Sequence, residues 1–135
     1  MSLNIGNVMK VVEDGKWIKV PAKSGTFHLK IKQVLPGEWY AFNKKRKALD
    51  ADDIKRTALT YETIASHILD WKGLLQADNS EIIFDRELFK NQTFMNSLMG
   101  FTVEDGRYLS EWLAAAMNRS DVFAEDEDPD FLASI

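Results

Sequence analysis

The stretch SHILDWKGLLQADNSEIIFDREL, residues 66–88, decides how the chain is put together. An apolar run ends at Trp71, the chain breaks at Lys72-Gly73, crosses the polar residues 76–80, and turns apolar again at Ile82-Ile83-Phe84. No titratable constellation surrounds Trp71. Its reading is therefore architectural: Trp71 anchors a strand end in the core, Gly73 gives the backbone freedom to turn, and a short second strand, EIIF, leads on to helices.

Upstream of this junction the pattern is β-rich. TFHLKIK alternates, with Phe27, Leu29 and Ile31 on one face and His28, Lys30 and Lys32 on the other, as expected of a half-buried strand. VMKVVEDGKWIKVP reads as a β-hairpin around Asp14-Gly15, a favoured type I′ pair, with Glu13 opposite Lys16 and Val12 opposite Trp17. Pro36-Gly37 ends the strand region and opens a short helix whose last turn carries the basic run 44–47. Asp50 is the candidate cap of a following helix. TYETIASHILDW fits either a strand or a helix with Tyr61, Ile64, Ala65 and Ile68 on one face; Thr60, Thr63, Ile64 and Ile68 favour the strand.

Downstream the period becomes helical. Asp85 caps RELFKN, and Phe94, Met95, Leu98 and Met99 form one apolar stripe. Tyr108, Leu109, Trp112, Leu113, Ala116 and Met117 repeat that spacing behind Asp105 as a cap. The expected fold is α+β, a small N-terminal antiparallel sheet packed with a C-terminal group of short helices. Residues 1–118 form a single domain: β-rich over 1–35, mixed over 36–84 and helical over 85–118. Residues 119–135 form an acidic flexible tail.

Composition sets the class. The 135 residues are 45% hydrophobic and 28% charged, ordinary values for a globular domain. No apolar run is long enough to cross a membrane, and no basic segment precedes an apolar core at the N-terminus, so an intracellular protein without a membrane partner is expected. There are no cysteines, which removes disulfides and thiolate metal sites. Charge is uneven. Residues 1–59 carry 12 Lys/Arg and 6 Asp/Glu, a net of about +6; residues 60–135 carry 5 and 15, about −10. Such bipolarity favours head-to-tail self-association over head-to-head contact, with two solvated faces of a monomer as the plain alternative.

Catalytic and cofactor chemistry finds no motif. His28 and His67 have no carboxylate or second histidine at ligand spacing, so no metal is expected. AKSGT lacks the phosphate-loop frame, EDEDPD lacks the calcium-loop register, and no serine sits in a nucleophile elbow. No catalytic residue and no cofactor are assigned, and a non-enzymatic protein is expected. The run NKKRK with Trp39, Tyr40 and Phe42 upstream raises nucleic-acid binding, against which stand its small size and a pI of about 5.2.

Protein binding remains. The candidate partner-binding residues are Met95, Met99, Trp112 and Met117 on helix faces, and Phe123, Phe131 and Leu132 in the acidic end. Core filling is the alternative role for the methionines. The order of elements, FHLKIKQVLPGEW, then ILDWKGLLQADNSEIIFDRELF, then short helices and an acidic end, resembles the tail assembly chaperones of long-tailed bacteriophages over residues 25–118. In that family an apolar strand runs into a D-W-x-G-like turn, matched here by residues 70–73. A polar loop, a short strand and an acid-capped helix follow, matched by 76–80, 81–84 and 85–87.

The resemblance implies a non-enzymatic protein of the host bacterial cytoplasm that coats the tape measure protein before tail tube polymerisation and is absent from the finished virion. It implies assembly in spirals or rings, and the tail tube protein is a second candidate partner. A virion structural protein of the tail or head–tail junction is one alternative; an acidic DNA-mimic inhibitor is another.

Overall fold

The computed structural model describes residues 2–22, 25–49, 51–119 and 122–123. It is α+β. Helix α1 (Ile5–Asp14) leads into a β-hairpin, β1 (Lys16–Ala22) and β2 (Gly25–Ile31). Helices α2 (Pro36–Ala48) and α3 (Asp53–Ser66) follow, and strand β3 (Ile68–Lys72) then completes an antiparallel sheet of order β1-β2-β3. After a 3₁₀ turn (Arg86–Lys90) come α4 (Gln92–Met99) and α5 (Leu109–Met117).

The β2 alternation holds. Phe27, Leu29 and Ile31 are buried, and the inner row Ile18–Leu29–Trp71 crosses all three strands. The outer rows are Lys19–His28–Lys72 and Trp17–Lys30–Asp70, so one face of the sheet is polar. The inner face is covered by α3, α4 and α5, which supply Ile64, Leu98, Met99, Leu109, Leu113 and Met117 to one core.

The N-terminal hairpin expected around Asp14-Gly15 is not formed. Residues 5–14 are helical, started by Asn4, whose side chain accepts the Asn7 N–H at 3.1 Å. Gly15 (φ 71°, ψ −168°) ends the helix and donates its N–H to the Val11 carbonyl at 3.0 Å. An Asp-Gly pair suits a helix stop as well as a hairpin turn. The outcome is set by β1, which takes β2 as its partner: Trp17 faces Lys30 rather than Val12.

The 60–71 segment divides. It stays helical to Ser66 and becomes strand only at Ile68. The threonines lie within α3 with their hydroxyls donating back along the helix, Thr60 to the Arg56 carbonyl at 2.9 Å and Thr63 to the Leu59 carbonyl at 2.8 Å. Ile64 and Ala65 are buried, the face the helical alternative required. Asp52 supplies the cap, accepting the Lys55 N–H at 3.1 Å; Asp50 lies outside the described residues.

EIIF is not a full strand. Only Glu81 bridges, to Leu75, and Ile83 is 82% exposed. Asp85 does cap the turn after it, accepting the Glu87 N–H at 3.0 Å, but that turn is 3₁₀, and Asn91 caps α4. Asp105 does not cap α5; it accepts the Arg107 N–H at 3.0 Å and pairs with its guanidinium, shaping the preceding turn. The domain also extends past residue 118. Phe123 is buried in the core, and the Val122 carbonyl accepts from the buried Lys16 Nζ at 2.9 Å.

Candidate functional site: an apolar groove beside Trp71

Trp71 is 1% exposed. Its ring packs edge-on against Phe84 and Phe89, with centroids 4.7 and 5.7 Å away, and tilts against Phe94 at 5.4 Å. Its indole N–H donates to the Ile82 carbonyl at 2.7 Å. That bond ties the far end of the 74–82 loop to the strand that begins it. The Ile82 N–H donates back to Leu74 at 2.8 Å, and Lys72 and Glu81 approach to 3.8 Å across the loop. Asn79, at φ 68°, makes the tip.

The loop so fixed forms one wall of an open apolar groove of about 500 Å³. Leu74, Leu75 and Ile82 come from the loop, Phe94 and Leu98 from α4, Phe101 from the following segment, and Thr26 and Phe27 from the start of β2. Phe27 and Phe101 meet edge to face at 6.1 Å in its floor. Gly73, at φ 89°, allows the wall to approach; a Cβ there would lie 3.2 Å from the Phe27 Cα. Leu75 on the rim is 54% exposed. Volume and lining match what a helix side-chain stripe or an apolar ligand occupies.

A second apolar surface lies on α1, none of whose residues is buried. Ile5, Val8 and Met9 are 58%, 44% and 54% exposed, and Leu3 precedes them. These side chains give α1 an exposed apolar face.

The residues expected to bind a partner sit elsewhere. Met95, Met99, Met117 and Phe123 are buried, and Trp112 is half-buried against the core, so these side chains stabilise the domain itself. They belong to, or pack against, the one core cluster that also holds the buried residues of β2 and β3. Phe131 and Leu132 lie outside the described residues. From the same α4 stripe, Phe94 and Leu98 reach the groove.

One polar pair escaped sequence reading. His67 is buried, with Nε2 2.8 Å from Glu38 Oε2 and Nδ1 2.8 Å from the Thr63 carbonyl oxygen. The pair is 29 residues apart in sequence and joins the start of α2 to the end of α3. Desolvation raises the Glu38 carboxyl. The His67 hydrogen bond, the Leu35 N–H and the charges of His67 and Lys32 outweigh it and hold the group below the ordinary glutamate value. A carboxyl lowered in the folded state adds stability above its unfolded pKa and loses it as pH falls through the folded value. Glu38→Gln is expected to lower the melting temperature near neutral pH and to flatten the acid limb of its pH profile; an unchanged acid limb would dismiss the pair as a contributor.

Among the described residues no group of three or more His, Asp or Glu is placed to hold a metal, and no helix is long and apolar enough to cross a membrane. No protein-family model, curated protein or solved structure matches the chain.

Proposed function

We propose that the chain is a non-enzymatic tail assembly chaperone of a long-tailed bacteriophage, acting in the host bacterial cytoplasm, whose groove receives apolar helix stripes of the tape measure protein. The observation that carries the binding part is the groove itself, open, apolar and walled by a loop that Trp71 holds in place. The phage part rests on the layout resemblance of residues 25–118. A long helical client exposes repeated apolar stripes before assembly, and a helix-in-groove contact shields them one segment at a time. Each contact is modest, so many copies along one client give the coat its strength.

Co-expression tests the proposal. The tape measure protein is expected to be soluble and to co-purify with this chain, and purified virions are expected to lack it. A client that stays insoluble with no co-purification contradicts the proposal. Presence in virions would point instead to a structural protein of the tail or head–tail junction.

A further inference from the structure

We infer that the outer stripe of α2, made by Tyr40, Lys44 and Lys47, is a binding surface for single-stranded nucleic acid, with Tyr40 as the stacking platform and the lysines on the phosphates. The inference is independent of the groove and of its client.

Burial separates the aromatic residues of α2. Phe42 is buried and meets Trp39, which packs against the core, edge to face at 5.3 Å. Tyr40 turns the other way and is 73% exposed. Lys44 and Lys47 follow at i+4 and i+7 from it, so the three side chains share one face, and both lysines are exposed. The stripe is about 10 Å long at the rise of an α-helix, the length of roughly three nucleotides stacked about 3.4 Å apart.

The cations are uncommitted. Among the described residues none of Lys44, Lys45, Arg46 and Lys47 forms an ion pair. Of the acids that flank them, Glu38 is engaged with His67 at 2.8 Å and Asp52 with Lys55 at 4.0 Å. The helix dipole accounts for Lys45, Arg46 and Lys47 in the last turn. It accounts neither for Lys44 nor for an aromatic ring left in water one turn before it.

The aromatic ring decides between the anions that fit such a surface. An anionic membrane takes up a basic helix through apolar side chains inserted beside the charges, and those of α2 are turned into the core. Duplex DNA keeps its base faces stacked inside the helix, out of reach of a tyrosine. An acidic protein segment satisfies the lysines and leaves the ring without a face to stack on. A single strand supplies both, phosphates for the cations and unstacked bases for the ring. The overall charge of −4 does not oppose this at contact range. Residues 1–59 are net positive by about six, and charges further away than about 8 Å are largely screened at physiological ionic strength.

Fluorescence anisotropy with a labelled single-stranded oligothymidylate and the full chain tests this. Binding is expected at low salt, with the logarithm of the affinity falling against the logarithm of the salt concentration by about 0.7 for each phosphate engaged. Tyr40→Ala is expected to bind about tenfold more weakly with the salt slope unchanged, and Tyr40→Phe, which keeps the ring, to bind as wild type does. Lys44→Gln with Lys47→Gln is expected to weaken binding and to lower the slope by about 1.4, the share of two phosphates. All three positions are exposed, and circular dichroism checks the fold of each variant. No binding of the strand at low salt, tighter binding of the matching duplex, equal binding of polyglutamate or of phosphatidylserine vesicles, or a Tyr40→Ala protein that binds as wild type does overturns the inference. None of these outcomes bears on whether the groove holds the tape measure protein.

Discussion

Replacing Trp71 by alanine is expected to lower the unfolding free energy by about 3–5 kcal/mol, out of the roughly 5–15 kcal/mol that holds a domain of this kind together. The side chain is the largest of the fully buried ones and meets three phenylalanine rings. Its removal leaves a cavity between β3 and α4 and the Ile82 carbonyl without its donor. Trp71→Phe separates the two losses. It keeps an aromatic ring in the cluster and deletes the N–H, for an expected cost of about 1–3 kcal/mol. Both variants release the 74–82 loop, so hydrogen exchange at residues 74–82 is expected to quicken more than the global stability change accounts for. Urea denaturation measures the first effect. A Trp71→Ala midpoint near that of wild type would contradict the anchoring role.

Gly15→Ala is expected to be the next most damaging substitution, and for a different reason. At φ 71° and ψ −168° the residue occupies a region open essentially to glycine, costing about 1–3 kcal/mol for any other residue. A Cβ there would lie 2.6 Å from the Ile31 oxygen and 2.8 Å from Leu69 Cδ1. Ile31 is paired with Lys16 in the adjoining strand, so the oxygen cannot yield without disturbing the sheet. Gly25 supplies the control. It also has positive φ, but nothing lies within 4 Å of its Cβ position. Gly25→Ala should therefore cost distinctly less in the same urea titration; equal costs would mean that the close approach at Gly15 contributes nothing.

Much of this architecture was legible where local pattern and tertiary partner agree. The β2 alternation, Pro36 at the start of α2 with Lys45, Arg46 and Lys47 in its last turn, and the burial of Trp71 before Gly73 all appear as read. Asp14-Gly15 was not decidable locally, because one dipeptide serves two kinds of chain reversal and the choice lies with β2, more than ten residues away. The β-branched residues of α3 misled because their leaning toward a strand is small, and burial of Ile64 and Ala65 on one helical face outweighs it.

The methionine stripes show a different limit. Helical spacing says that a face is covered, not whether the cover is the chain's own sheet or another protein. Met99 and Met117 are fully buried beneath the sheet, while Phe94 and Leu98, on the same α4 stripe, edge the groove. The groove itself is negative space assembled from four segments between residues 22 and 101, and its one local signal is Leu74-Leu75 lying outside any period beside a glycine of positive φ. The His67–Glu38 pair, 29 residues apart, had no local signal at all.

The groove is the surface expected to hold the client. The most direct measurement is the soluble fraction of the tape measure protein when it is co-expressed with the wild-type chain or with Leu75→Asp. Leu75 is half exposed on the groove rim, so the substitution removes the apolar wall and spares the core. Wild type is expected to give a soluble complex and Leu75→Asp an insoluble client, although that variant remains folded. A client kept equally soluble by both proteins would contradict it.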